Sequence, residues 1–251
     1  VNTSHPEDGL PGKQGNSTKT TVQNGSSTRR NTMLKDGEKG AILQRDKETY
    51  AVAPHLACGV AKPEDLRKLA DVAEKYNAAA LKVTSAARIA IVGLKEEDVD
   101  KVWEELGLAP GAAVGVCVRS VKACPGTTFC RLGLQDSLGV GMELDSKYHG
   151  MELPGKLKIG VSGCHNECAE TCIKDIALVG NKKGWILMAG GSGARKPRLA
   201  DTLATELETE QVKSLVDRLV DFYKENARKN ERMGTMMDRL GVDEVRSAVV
   251  S

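Results

Sequence analysis

Four cysteines on two short loops constrain this chain more than any other feature. Cys124 and Cys130 bound the run Cys-Pro-Gly-Thr-Thr-Phe-Cys, and Cys164 and Cys168 bound Cys-His-Asn-Glu-Cys. Any fold the chain adopts must let these loops, delivered from separate strands, converge. Four thiolates so arranged can close one cubane iron-sulfur cluster, for which cysteine is the usual ligand. Cations flank both loops. Arg119 lies just before the first pair, and Lys156 and Lys158 precede the second within Gly-Lys-Leu-Lys-Ile. At a strand period of two, Lys156 and Lys158 point to one face, where they can hold a small anion. A redox centre beside an anion site suggests anion reduction.

The two cysteine pairs, the preceding Pro-Gly-Lys-Leu-Lys, the following Lys-Asp-Ile-Ala-Leu-Val-Gly and the later Gly-Ala-Arg-Lys-Pro-Arg-Leu-Ala resemble the sirohaem and 4Fe-4S nitrite/sulfite reductases. The likeness is greatest to their small, single-repeat, assimilatory-type sulfite reductases and to the corresponding part of the NAD(P)H nitrite reductases, and it covers roughly residues 47–225. It implies an α+β fold, with a ferredoxin-like half-domain followed by a mixed α/β domain that holds sirohaem and the cluster. It also implies six-electron reduction of sulfite to sulfide, with nitrite reduction to ammonia as the near alternative. An electron-transfer module with a cluster and no haem is the rival from another class. Both lysines of the pair are present, which leans toward sulfite, since the plant-type nitrite enzymes lose one.

By the same resemblance, Cys124, Cys130, Cys164 and Cys168 bind the cluster, and Cys168 is the thiolate shared with the sirohaem iron. Arg119, Lys156 and Lys158 match the family's anion-binding cations. Arg88 stands two residues after the position, here Ala86, that carries an arginine in larger members, and in an extended chain it keeps the same facing. Arg195, Lys196 and Arg198 suit the carboxylates of sirohaem, with Gly191 and Gly193 allowing close backbone approach. His165 and Glu167 either tune the cluster potential or cap a turn. Cys58, Cys117 and Cys172 are read as buried thiols.

Residues 1–45 are expected to form a disordered tail, residues 46–110 the ferredoxin-like half, and residues 111–251 the cofactor domain with C-terminal helices. The tail carries seven Lys/Arg against four Asp/Glu, and the remainder of the chain 29 against 30. With a net charge of +2, no global attraction to nucleic acid or membranes is expected. No apolar run approaches the roughly 20 residues that span a bilayer, and no signal-peptide core is evident. An odd number of cysteines in metal-ligand spacing argues for the cytoplasm. No dinucleotide fingerprint follows a strand, so an external donor, ferredoxin-like or other, is expected. Larger family members carry two copies of this unit around the haem, so a single copy points to a homodimer that shares its sites.

In chain order, strands are expected at 49–53, 80–84, 88–92, 114–122, 156–162, 175–179 and 185–189. Helices are expected from Pro63, over 96–106 and around 132–144. Beyond Arg198 the pattern reads as helical throughout, with Thr209 as a cap and Gly241 between two short final helices.

Overall fold

The computed structural model describes residues 33–251, and these form two sheets with helices packed on them. The first sheet is antiparallel and is built from β1 (Ala41–Leu43), β2 (Tyr50–Val52), β3 (Ala80–Val83) and β4 (Ile89–Leu94) in the order β1-β2-β4-β3. Two helices cover it. Helix α1 (Pro63–Lys75) opens on proline, which has no amide to leave unpaired, and Asp65 accepts the Lys62 amide at 3.0 Å. Helix α2 (Val99–Leu106) ends where Gly107 takes a left-handed φ of 58°. Leu69, Val72 and Ala73 of α1 pack with Val99, Val102 and Leu106 of α2 over Tyr50, Val52 and Ile91. Leu66, expected on the inner stripe of α1, is 45% exposed, and the buried stripe runs through Leu69, Val72 and Ala73 instead.

Part of the expected tail, residues 33–45, is structured. Residues 1–32, including Arg29-Arg30, lie outside the described residues. Residues 33–45, expected in the tail, supply β1: Ala41 is fully buried, Tyr50 donates its hydroxyl to Leu34 O at 2.9 Å, and the Trp103 indole donates to Lys39 O at 2.8 Å. An edge strand needs few apolar residues, because its backbone pairs on one side and its outer face stays wet.

The second sheet has the order β5-β6-β7-β8-β9. Strand β5 (Val118–Ala123) leads through a single helical turn, α3 (Gly126–Phe129), to α4 (Ser137–Tyr148). Then come β6 (Leu157–Ser162), β7 (Ile176–Asn181), β8 (Gly184–Ala189) and β9 (Asp201–Leu207). Strands β5, β6 and β7 run parallel, while β8 and β9 are antiparallel. The β7-β8 turn closes at the Asn181–Gly184 pair, as the glycine spacing predicts.

Strand β9 corrects the helical reading of residues 201–207. Only Leu203 of this strand is buried, so the segment carries too little apolar periodicity to declare its type. Helix α5 (Thr209–Asn226) then begins at Thr209 itself, with Glu208 as its cap: the Glu208 amide donates to Gln211 at 2.8 Å. Its predicted stripe is buried in full, from Val212 through Leu215, Val216, Leu219 and Val220 to Tyr223. Gly241 separates α6 (Met233–Leu240) from α7 (Val242–Val250). These helices bury Met233, Met236, Met237, Val245 and Val249 against the same core as Leu157, Ile159, Leu178 and Trp185. Among the described residues, no helix is long and apolar enough to cross a membrane.

Candidate cofactor and anion site

Both cysteine loops leave the carboxyl ends of adjacent parallel strands. Ala123 of β5 pairs with Val161 of β6, and the Cys124 amide continues the ladder to Val161 O at 3.0 Å. Because parallel strands deliver their following loops to one edge, Cys124 and Cys164 emerge side by side. The loops are then bolted together. Gly163 O accepts the amides of Leu134 and Gln135 at 2.9 and 3.1 Å, and the Gly163 amide points at Cys124 Sγ at 3.2 Å. The Ser137 hydroxyl lies 3.1 Å from the same sulfur. Glycine is required at the crossing: a Cβ on Gly163 would meet Gln135 O at 2.7 Å, and one on Gly133 would meet the Gly126 carbonyl carbon at 2.5 Å. These backbone bonds delay the helix expected from Leu132, and α4 starts at Ser137 with Asp136 capping the Gly139 amide at 2.9 Å. All four thiols are free. Cys124, Cys130 and Cys164 are half-buried, and Cys168 is exposed.

A cavity of about 280 Å³ is lined by residues that flank these loops in sequence, Lys122 before Cys124 and Glu170 after Cys168. Lys156 and Lys158 line it, as expected, together with Lys122, Lys174 and Arg232. Burial pushes the Lys158 ammonium below its ordinary range, and Lys156, Lys174 and Arg232 push it further; burial, then Arg119 and Arg232, act the same way on Lys156. Two carboxylates temper the charge. Glu170 accepts from Lys122 and from Lys174, each at 3.2 Å, and these bonds hold its carboxyl below the usual range. Asp175 is fully buried and takes Arg232 in a fork, with Nε to Oδ1 at 2.9 Å and Nη2 to Oδ2 at 2.7 Å; it also accepts the Lys158 amide at 2.8 Å. Burial pushes the Asp175 carboxyl up and Arg232 pulls it back.

Arg119 and Arg88 are arranged differently from expectation. Arg119 is half-buried on β5, close enough to Lys156 to lower its pKa, but it spends Nε on Ala112 O at 2.7 Å and Nη1 on Gly115 O at 3.3 Å. Arg88 is buried outright. Its guanidinium donates to the carbonyls of Arg119 and Ala112, so it braces Arg119 from behind and does not line the cavity. The extended-chain argument fails because Ala87 takes a left-handed φ of 56°, which turns the chain before β4. On the far side of the Ala112 peptide, its amide faces His149 Nε2 at 3.4 Å. The His149 ring stacks on His55, and His55 is held by Asp145 at 2.7 Å.

The later glycine and arginine run divides. Gly193 lines the cavity, and Arg195 and Lys196 stand exposed beside it in sequence. Gly191 packs on the protein itself, since a Cβ there would meet Cys172 O at 2.6 Å. Arg198 is fully engaged, with Asp238 at 3.0 Å, Asp201 at 2.5 Å and the carbonyls of Gly190 and Leu199; it brackets β9 to α6 rather than facing the cavity. Glu167 caps a turn, accepting the Thr171 hydroxyl at 2.6 Å and the Cys172 amide at 2.8 Å, while His165 is exposed. Cys58 and Cys117 are buried, and burial drives the Cys58 thiol up to about 12. Cys172 is half-buried, not buried as expected.

Sequence reasoning missed Lys174, Glu170, Asp175 and Arg232. Lys174-Asp175 opens a motif already singled out, so its charge was a usable signal. Nothing local marks Arg232, which reaches the cavity from the far end of the chain.

Comparison with known proteins finds two family domains in the chain. Residues 114–251 match the nitrite and sulphite reductase 4Fe-4S domain, and residues 42–109 match the nitrite/sulfite reductase ferredoxin-like half domain. An assimilatory-type sulfite reductase of Nitratidesulfovibrio vulgaris is 45% identical over 86% of this chain and over its own whole length. The NAD(P)H nitrite reductase of Bacillus subtilis is 40% identical over 83% of this chain, which spans 26% of that larger protein. Among solved structures, dissimilatory sulfite reductase I superposes with a TM-score of 0.73 at 13% identity, covering 81% of this chain and 69% of that one. The Mycobacterium tuberculosis NirA protein gives 0.68 at 17%, covering 80% and 40%. At such identities these two structures speak to the fold alone.

Proposed function

Because the chain belongs to the nitrite and sulfite reductase family, by matches that span residues 42–109 and 114–251, we propose that it reduces sulfite to sulfide with six electrons at a sirohaem coupled to a 4Fe-4S cluster. The observation that carries this reading is a cavity lined by Lys158 of β6, the strand that leads into the second cysteine loop, and by Lys156 just before that strand. The full-length likeness to an assimilatory-type sulfite reductase supports sulfite over nitrite.

The residues fit both groups. Four free thiols on two interlocked loops are the donor set a cubane takes, and Cys124 already receives an amide at its sulfur. We assign Cys124, Cys130, Cys164 and Cys168 as its ligands. Cys168, the most exposed of the four, is the thiolate we assign to both groups. Lys122, Lys156, Lys158 and Lys174 supply the positive field that a polycarboxylate ring needs, and Arg195 and Lys196 extend it. When bound, sirohaem and cluster supply the electrons and the iron centre for the reduction. The protein supplies charge and protons. Lys156 and Lys158 hold the anion through Nζ, and with their pKa values lowered they release a proton more readily to oxygens that leave as water. Arg119, braced by Arg88 and held on the Ala112 carbonyl, does not line the cavity and contributes only its charge at a distance to Lys156.

Electrons come from an external donor of ferredoxin type, which we place at the cluster loops, where Phe129, Leu132 and Leu134 are exposed. A homodimer is supported by edge strand β3, exposed along its whole length with Leu81 and Val83 outward. Seven free thiols support a reducing compartment, the cytoplasm. The test is an absorption spectrum of the purified protein followed by relative turnover on sulfite and nitrite. Soret and red bands with preferential sulfite turnover are expected. A cluster spectrum without haem bands, or a preference for nitrite, overturns the reading.

A further inference from the structure

We infer that Arg232 is an oxyanion-binding residue of the cavity and that Asp175 is its positioning residue. The inference deepens the proposed reaction and rests on it only for the identity of the anion.

Arg232 precedes α6 and lines the cavity beside Lys156 and Lys158. Of its five N–H groups, the fork to Asp175 consumes one on Nε and one on Nη2. Nη1 has no hydrogen-bond partner among the described residues. A guanidinium gripped along one edge still offers two parallel donors along the other, which is the geometry that recognises a pair of charged oxygens. Solvent does not cover the group freely, because the Arg232 side chain is only 25% exposed.

Its place is over-determined, as a binding residue's should be. The preceding residues are fastened to the segment that leads into Lys156: the Asn230 amide donates to Pro154 O at 2.7 Å, and Gly155 lies so close to Glu231 O that no Cβ fits between them. Arg239 then holds the Glu231 carboxylate by two bonds of 2.9 and 2.7 Å. Asp175 completes the fixture by accepting the Lys158 amide, so the carboxylate sets the guanidinium and the lysine backbone in one frame. A purely structural ion pair would need neither the open edge nor the neighbouring lysines, whose mutual repulsion costs stability unless an anion offsets it.

The anion can be sulfite or a carboxylate of the bound tetrapyrrole, and variants separate the two. Arg232→Gln is compared with the wild-type holoprotein for sirohaem and iron per chain, and for sulfite affinity by visible-absorption titration. If substrate is the ligand, cofactor content stays full and the dissociation constant for sulfite rises about ten- to a hundredfold, the scale of a charged hydrogen bond. If a ring carboxylate is the ligand, sirohaem content falls, and the sulfite affinity of the loaded fraction is unchanged. Arg232→Lys, which keeps the charge without the fork, is expected to regain stability without regaining the lost property. Should Arg232→Gln fail to fold with Asp175 left unpaired, the double variant Asp175→Asn with Arg232→Gln leaves no buried charge uncompensated and is read the same way. Full cofactor content with unchanged sulfite affinity overturns the inference. Wild-type holoprotein that binds sulfite without reducing it sinks the proposed reaction instead, and the titration still decides for Arg232.

Discussion

Replacing Gly163 by alanine tests whether the two cysteine loops are held by backbone contact. The added methyl would sit 2.7 Å from Gln135 O, 2.9 Å from Gly126 Cα and 3.0 Å from the Ser137 hydroxyl. Ordinary contact begins near 3.4 Å, so the loops must separate by roughly 0.7 Å, and two of the three neighbours are backbone atoms that cannot swing aside. Overpacking of this kind costs about 1–3 kcal/mol. The displacement also lengthens both bonds to the Gly163 carbonyl and pulls its amide off Cys124 Sγ. For a chain of this size the expected fall in Tm is about 5 °C. Iron per chain, measured on purified protein, should fall by well over half, while the far-ultraviolet circular dichroism keeps its shape. Full iron content with an unshifted Tm would refute the reasoning, for it would mean that the loops meet without touching.

Lys158→Met should lower sulfite turnover by roughly a hundredfold and yet leave urea stability equal or higher, because burial already disfavours the charged amine; a marked loss of stability would return Lys158 to a structural role. The pH–rate profile should show an alkaline limb below the ordinary lysine value of about 10.4: both pocket lysines have lowered pKa values, so the ammonium forms are lost as pH rises through them. Replacing Lys156 by arginine should move that limb upward, and an unmoved limb assigns it elsewhere. Deleting residues 1–32 should leave Tm and cofactor content unchanged, whereas deletion to residue 45 removes β1 and the Trp103 contact and should lower Tm by several degrees; equal Tm values for the two truncations would count against the observed β1.

What could be read from the sequence was what is local. The cysteine spacing, the stripe of α5 from Val212 to Tyr223 and the stops at Gly107 and Gly241 each follow from residues within a few turns of one another, and each reappears in the structure. The lysine pair was legible for the same reason. Features that depend on partners far along the chain were not. Strand β9 buries one leucine and is fixed by pairing with β8, while Ala41 is buried only because β2 lies next to it. Arg88 and Arg198 read as surface cations suited to an anion, but carbonyls and carboxylates from other elements claim their donors. An arginine's sequence context shows that it can bind an anion and leaves open which one reaches it first.

The fork between Asp175 and Arg232 has a consequence for how the protein is made. Synthesis proceeds from the amino end, so Cys124, Cys130, Cys164 and Cys168 leave the ribosome well before Arg232 does. Until then Asp175 has the Lys158 amide but no guanidinium, and burying it ionised would cost several kcal/mol. Completion of the basic cavity is tied to arrival of the last helices, and a nascent chain cut short before residue 232 carries its own marker of incompleteness in an unmatched aspartate.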